Sequence, residues 1–157
     1  GTLAVLPDPR VDIETPERWL RREAILEGVS LSRRLGLVQQ AVDDVRTGVQ
    51  RVRDRLAELS EVDAVALAEA ATVLVDRLGG AVDLDRARGY AREVSGLSSS
   101  YDAPTEAQRL EIGRLAEVVA ALESDLNVFL IGDGARFRDQ VLAVNLEVFP
   151  LPRLVGS

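Results

Sequence analysis

Three short groups of residues have the composition of a reactive or ligand-binding site. Asp43-Asp44 and Asp83-Leu84-Asp85 place carboxylates close together, which general acid–base catalysis requires. However, adjacent residues of a helix point about 100° apart, so Asp43 and Asp44 diverge on a solvated face, and Asp83 to Asp85 is typical of a helix start. Gly132-Asp133-Gly134 suggests a phosphate- or metal-binding loop, but it lacks the flanking strand and the additional ligands. It predicts a helix end followed by an N-cap.

A group of arginines suggests an anionic partner: Arg33, Arg34, Arg51, Arg53 and Arg55. Acidic residues alternate with them along the same stretch: Asp43, Asp44, Asp54 and Glu58. This alternation is typical of paired surface charge and does not indicate an anion-binding surface.

Trp19 and a run of serines are the remaining candidates. Trp19, the only tryptophan, is either an exposed contact for a partner or a side chain packed against the leader or the last helix, and we favour packing. Ser98-Ser99-Ser100 predicts a loop, because the chain has no histidine or lysine to activate a serine.

The composition excludes most familiar catalytic and metal-binding chemistry. The chain of 157 residues has no His, Cys or Met, and all 19 of its basic residues are arginine. Zinc sites of the usual kind, cysteine nucleophiles, Ser-His-Asp triads and lysine Schiff bases are therefore excluded. We predict no catalytic, cofactor-binding or metal-binding residue. The net charge of −7 argues against nucleic acid as a partner, and no apolar run is long enough for membrane insertion.

The most regular hydrophobic pattern lies in the first half of the chain. Thr15 as N-cap, Pro16 at the first helical position and Glu17 in the first turn predict a helix start. From there to Leu59 no proline occurs, and the apolar residues are spaced alternately by four and three. They are Leu31, Leu35, Val38, Val42, Val45, Val49, Val52, Leu56 and Leu59. A heptad pattern of this length predicts a long helix that packs against other helices.

Two further main helices and a short fourth helix follow. The second begins near Ser60 to Asp63 and is interrupted or sharply kinked at Gly79-Gly80, after which the pattern resumes out of phase from Leu84. The third begins with a capping box at Thr105 to Gln108 and ends at Gly132, and Asp133 then caps a short helix to about Asn145. Their predicted core residues are Ala64, Leu67, Ala71, Leu74, Leu78, Leu84, Ala87, Ala91, Val94, Ile112, Leu115, Val119, Leu122, Leu126, Phe129, Phe137, Val141 and either Val144 or Leu142.

These elements predict an all-α, antiparallel three-helix bundle with a long helical hairpin and a short fourth helix. The helical bundle spans residues 15–149, and the prolines at 150 and 152 predict an extended tail over 150–157. Residues 1–14 form an extended, strand-like leader, in which Thr2 to Leu6 favours a strand and Pro7 and Pro9 prevent a helix. Because this strand has no partner downstream, we expect it to be the last strand of an upstream β-domain. The first two helices form a hairpin longer than the third, so its far end is expected to protrude.

Two stretches resemble a known family. Leu3 to Val11, with its Asp-Pro-Arg-Val junction, and the helix start Pro104-Thr105-Glu106-Ala107-Gln108 are similar to the C-terminal region of bacterial sortilin-like, BNR-repeat β-propeller proteins. That family is described as glycosyl-hydrolase- or sialidase-like. The resemblance implies a helical bundle that follows propeller domains and an extracytoplasmic or secreted location. It transfers no catalytic residue, because the Asp-box repeats of such propellers are absent from this sequence.

The sequence therefore predicts a binding function and no catalytic activity. We expect a non-catalytic helical-bundle module for docking or assembly at the C-terminus of a larger exported β-propeller protein. Its partner would be a protein, either its own upstream β-domains or another chain. The alternative is an independent, self-associating coiled-coil adaptor. An enzyme that uses only carboxylates would need two acidic side chains that converge in a pocket.

Overall fold

The computed structural model describes residues 15–57, 62–99, 102–144, 152 and 156, and the description below is confined to them. These residues are helical almost throughout and contain no strand, which confirms the all-α prediction. The leader over 1–14 lies outside the described residues, as do Leu59, the capping stretch Ser60-Glu61 and all of the tail except Pro152 and Gly156. The five helices are α1 (Thr15–Leu56), α2 (Val62–Ala81), α3 (Leu84–Ser95), α4 (Glu106–Phe129) and α5 (Ala135–Ala143).

Helix α1 has the predicted heptad stripe on its inner face. All eight described members of the stripe, from Leu31 to Leu56, are buried, and Val38, Val45 and Val52 have no exposed surface. The charged residues of α1 lie outside this stripe, together with exposed apolar residues such as Leu26 and Leu37. Burying a side chain of this size stabilises the fold by about 1.5–3 kcal/mol, so the stripe accounts for the association of α1 with the other helices.

The predicted interruption at Gly79-Gly80 is wrong in its position. Helix α2 continues through both glycines to Ala81, and α3 begins at Leu84, where the Asp83 side chain accepts a hydrogen bond from the Asp85 backbone N–H. A glycine within a helix costs only about 1 kcal/mol relative to alanine. Leu78 and Val82 lie on either side of the two glycines, and the free energy gained by burying these side chains outweighs that cost. The N-cap at Asp83, rather than the glycine pair, therefore marks the break.

The predicted end of the third helix at Gly132 is also wrong. The capping box is confirmed, since the Gln108 N–H donates to the Thr105 hydroxyl and the Thr105 N–H donates to the Gln108 side chain. After Phe129, however, a π-helical turn (Leu130–Gly134) leads directly into α5. Asp133 is therefore within the helix and does not cap α5, although α5 itself is the short helix that the sequence predicted.

The π-helical turn compensates for one extra residue in the heptad pattern. Phe129 and Phe137 are both buried but stand eight positions apart, one more than a heptad allows. A π turn takes up an additional residue within a helix, so Leu130, Gly134, Phe137 and Val141 all return to the inner face. Val144 is half-buried against the core and Leu142 is exposed, so Val144 is the inward-facing residue of the two alternatives.

The helices form three rods that lie side by side: α1, then α2 with α3, then α4 with the π turn and α5. The second rod is antiparallel to the first, because Gly28 near the start of α1 meets Val94 near the end of α3. The third rod is parallel to the first, since Ala24 and Ile112 line one groove and Arg34 bonds to Glu123 further along. Helix α5 continues the third rod and packs against α2, and the far end of the hairpin, which was predicted to protrude, includes residues 58–61 outside the described part of the chain.

Candidate protein-docking face

The side of the third rod opposite its core is exposed along its length. Seven positions are spaced alternately by four and three, and all of them are exposed: Leu110, Arg114, Glu117, Ala121, Ser124, Val128 and Ile131. We call this surface the outer face. Three of its members are large apolar residues, and Leu110, Val128 and Ile131 expose 58%, 69% and 67% of their surface.

Three-four spacing is found along every face of a helix, so the apolar character of the residues, and not their spacing, sets this face apart. Single exposed apolar residues are common on soluble proteins and need no explanation. Val128 and Ile131, however, lie one turn apart at the end of the outer face and form a small exposed apolar patch. The outer face was not predicted, because its three apolar residues lie outside the stronger inner stripe of Ile112, Leu115 and Val119.

An acidic side chain in the π turn joins the second and third rods beside this face. Asp133 Oδ1 accepts hydrogen bonds from Arg77 Nη1 of α2 at 3.0 Å and from Arg136 Nη1 of α5 at 3.4 Å. Shallow grooves lie on both sides of this cluster, and one of them is lined by Gly80, Gly132 and Val128. In the Gly132-Asp133-Gly134 stretch, Asp133 therefore links α2 to α5 by hydrogen bonds. The expected helix end and N-cap are not found there.

A partly buried ion pair connects the first and third rods. Arg34 Nε donates to Glu123 Oε1 at 2.9 Å, and Arg34 Nη2 donates to Oε2 at 2.6 Å. The hydrogen bond to Glu123 raises the pKa of Arg34 above its ordinary value, and partial burial opposes that rise. Because Glu123 is the only charged residue buried among the described ones, this two-pronged contact fixes the register of α4 against α1.

Gly156 of the tail lies against the same ion pair. Its backbone has φ +76°, and a Cβ at this position would stand 2.9 Å from Glu123 Oε2. The left-handed conformation favours glycine here, and a Cβ would press on the carboxylate end of the Glu123 side chain. The Glu123 side chain, with 11% of its surface exposed, lies between Arg34 and this glycine.

The acidic pairs behave as helix-surface and helix-start residues. Asp43 and Asp44 are both exposed, and Asp43 lies 3.9 Å from Arg46 on the next turn of α1. Asp83 is the N-cap of α3, as predicted, and Asp85 pairs with Arg88 at 3.0 Å. Among the described residues no group of three or more potential acidic, histidine or cysteine ligands could hold a metal ion.

The arginine group has no common target. Arg33, Arg51, Arg53 and Arg55 are exposed along α1, and Arg34 turns toward Glu123. Nearby, the Gln50 side chain donates to Asp54 Oδ1 at 2.6 Å. Arg34 pairs with Glu123, which was not among the predicted acidic partners, and Asp43 lies 3.9 Å from Arg46, which was not among the predicted arginines.

Trp19 is an exposed residue of α1, and the leader, one of the two segments against which it was predicted to pack, lies outside the described residues. It exposes 55% of its surface, and the Arg22 guanidinium lies 5.5 Å from its ring centre, one helical turn away. Leu26 and Leu37 are exposed on the same side of α1. Ser98 and Ser99 lie in a short 3₁₀ helix (Gly96–Ser99) rather than in the predicted loop, and Ser100 lies outside the described residues.

Comparisons with known proteins give no relative of this chain. No protein-family model matches it, and neither a curated protein nor a solved structure shows significant similarity. None of the helices in the described part of the chain is long and apolar enough to cross a membrane.

Proposed function

We propose that the chain is a non-catalytic helical-bundle module for docking or assembly, and that it binds a helix of another protein chain through the outer face. The observation that carries the proposal is the exposure of three large apolar residues, Leu110, Val128 and Ile131, on the outer face. Its inner neighbours Leu115, Val119 and Leu126 have no exposed surface, so these residues, and not the outer ones, fill the core of the bundle.

The spacing on the outer face favours a helix as the binding partner. Positions that alternate by three and four form a continuous stripe along a helix, and a second helix can lay its own stripe against it. Leu110 lies near the start of the stripe, and Val128 and Ile131 lie at its end, with small or polar residues between them. These apolar ends supply anchors of the kind that dominate helix-on-helix binding energy.

The wider setting of the module remains the one that the sequence resemblance implies. We propose a place at the C-terminal end of a larger exported β-propeller protein, with an independent self-associating adaptor as the alternative. The residues encoded upstream of Gly1 test this proposal directly, because propeller repeats in that region support the first setting and their absence contradicts it. The non-catalytic part is tested by assays against sialosides and aryl glycosides, in which turnover by the purified chain would overturn it.

Photocrosslinking tests the use of the outer face. A photoreactive residue replaces Val128 in the full chain, expressed in cells that naturally make it, and a second version replaces Val65, which exposes a similar 63% of its surface on α2. We expect a defined adduct from position 128 that Ile131→Glu abolishes, because a glutamate placed in an apolar contact would be desolvated. The same adducts from both positions, or an adduct that survives Ile131→Glu, would contradict the proposal.

A further inference from the structure

Two of the three rods are interrupted at the same level of the bundle. In the second rod, α2 gives way to α3 just after the Gly79-Gly80 pair. In the third rod, the π turn joins α4 to α5. Gly80 and Gly132 line one groove, and Arg77 bonds to Asp133 beside it, so the two interruptions lie next to each other. Helix α1 passes this level without a break.

The helices on either side of this level pack mainly with one another. On one side, α3 and α4 pack against each other and against the first part of α1, and we call this group the near unit. On the other side, α2 packs against α5 and against the second part of α1, and we call this group the far unit. Because Arg34 lies opposite Glu123, the π turn is level with residues 41–45 of α1, which divide its two parts. The two units meet where α2 passes the end of α4, at the groove lined by Gly80 and Phe129.

We propose that this level is a hinge, at which the far unit opens to solvent while the near unit stays folded. A π turn is an irregular piece of helix, and such turns occur frequently at functional sites. Gly79 and Gly80 add backbone freedom on the neighbouring rod. A Cβ on either glycine would meet nothing within 4 Å, so the packing of the closed bundle does not require glycine there. The open form exposes Leu74 and Phe137, which are buried in the closed bundle.

The far unit has weaker stabilising features than the near unit. The buried stripe of α1 has Leu31 and Leu35 in the near unit, but Val49 and Val52 in the far unit. Valine buries less apolar surface than leucine and has a lower helix propensity. Helix α5 has nine residues and no side-chain hydrogen bond at its N-cap, and an isolated helix of that length is marginally stable. The near unit, by contrast, contains the capping box of α4 and the ion pair of Arg34.

Asp133 holds the far unit closed at the hinge. Its carboxylate lies in the π turn and accepts hydrogen bonds from Arg77 of α2 and Arg136 of α5, so it ties the start of α5 to α2. Both arginine side chains are more than half exposed, and ion pairs of this kind contribute modestly to stability. Loss of these contacts should therefore raise the population of the open form about two- to fivefold.

Native-state hydrogen exchange of the full chain, followed by mass spectrometry, tests the hinge. The slowest amides of α2, α5 and the second part of α1 should have protection factors at least about thirtyfold lower than the slowest amides of α3, α4 and the first part of α1. The reason is that the far unit opens without global unfolding, whereas the near unit exchanges only when the whole bundle unfolds. Equal protection of the two units, or lower protection of the near unit, would overturn the inference.

Three substitutions distinguish two units from one, under conditions in which exchange reports the opening equilibrium. Ile112→Val, in the core of the near unit, should speed near-unit exchange about two- to tenfold and leave the far unit unchanged. Asp133→Asn should speed exchange of both units about two- to fivefold, because global unfolding includes opening of the far unit. Asp139→Asn, at an exposed aspartate that bonds to its neighbour Arg138 within α5, should change neither. Acceleration of both units by Ile112→Val, or equal effects of Asp133→Asn and Asp139→Asn, would overturn the hinge.

Discussion

Alanine substitution of two glycines in α1 should change stability in opposite directions. Gly28 faces α3, and a Cβ at this position would lie 2.7 Å from Val94 Cγ1. Gly36 lies two turns further along the same helix, and a Cβ there would meet nothing within 4 Å. Both glycines are in the helix interior, so the intrinsic gain from alanine is about 1 kcal/mol at either position.

The packing at Val94 decides the net effect at position 28. Val94 is buried, and its β-branched side chain has little rotamer freedom with which to move away. Overpacking of this kind costs about 1–3 kcal/mol, which cancels or exceeds the helix-propensity gain. Gly28→Ala should therefore lower the free energy of unfolding by about 0–2 kcal/mol, and Gly36→Ala should raise it by about 1 kcal/mol.

Chemical and thermal denaturation followed by circular dichroism measure the difference. For a chain of this length about 1 kcal/mol corresponds to about 2–4 °C in Tm, so the two variants should melt several degrees apart. Val94→Ala provides the room that a methyl group at position 28 needs, so Gly28→Ala should cost about 1 kcal/mol less in that background. Equal stabilisation by Gly28→Ala and Gly36→Ala would refute the close contact of α1 with α3.

Three further variants test the contacts around the third rod. In urea unfolding, Arg34→Ala should destabilise the fold by about 1 kcal/mol more than Glu123→Ala, because loss of Arg34 leaves the more buried Glu123 carboxylate unpaired. The opposite order would contradict the burial of Glu123. Gly156→Ala should cost about 1 kcal/mol, since alanine is strained at φ +76° and meets Glu123, and an unchanged unfolding curve would contradict that contact. Gly80→Ala should raise Tm by about 2–4 °C, and a lower Tm would show that the space around this glycine is occupied.

Hydrophobic periodicity was sufficient to predict most of the inner surface of the bundle. Every described member of the α1 stripe is buried, and so are the predicted core residues of α4 from Ile112 to Phe129. This success has a direct physical reason: the three-four spacing specifies which side of a helix is apolar, and that side must be covered. The capping box at Thr105 was equally clear, because it depends only on residues three positions apart.

Glycine was the main source of error in the helix boundaries. Gly79, Gly80 and Gly132 all lie within helical structure, although the sequence analysis placed breaks there. A weak local preference of about 1 kcal/mol is overridden when the neighbouring turns bury large side chains. The π turn could have been inferred, because Phe129 and Phe137 are eight residues apart in a pattern that otherwise repeats every seven.

Contacts between distant positions were not predictable from the pattern. Arg34 and Glu123 are 89 residues apart, and nothing in their local sequence distinguishes them from the many exposed arginines and glutamates. The exposure of Trp19 was missed for a related reason, since a large aromatic is buried in most folds and its covering segment cannot be read from local spacing. The outer face was readable but was hidden by the stronger inner stripe.

Thiol labelling of single-cysteine variants tests the central claim most directly, because the chain contains no cysteine of its own. Leu126→Cys lies on the inner stripe with no exposed surface, and Val128→Cys lies two residues away on the outer face. In dilute solution, position 128 should react as fast as an unfolded peptide and position 126 at least about a hundredfold more slowly, since its reaction requires opening of the bundle. Equal rates at the two positions would contradict the account.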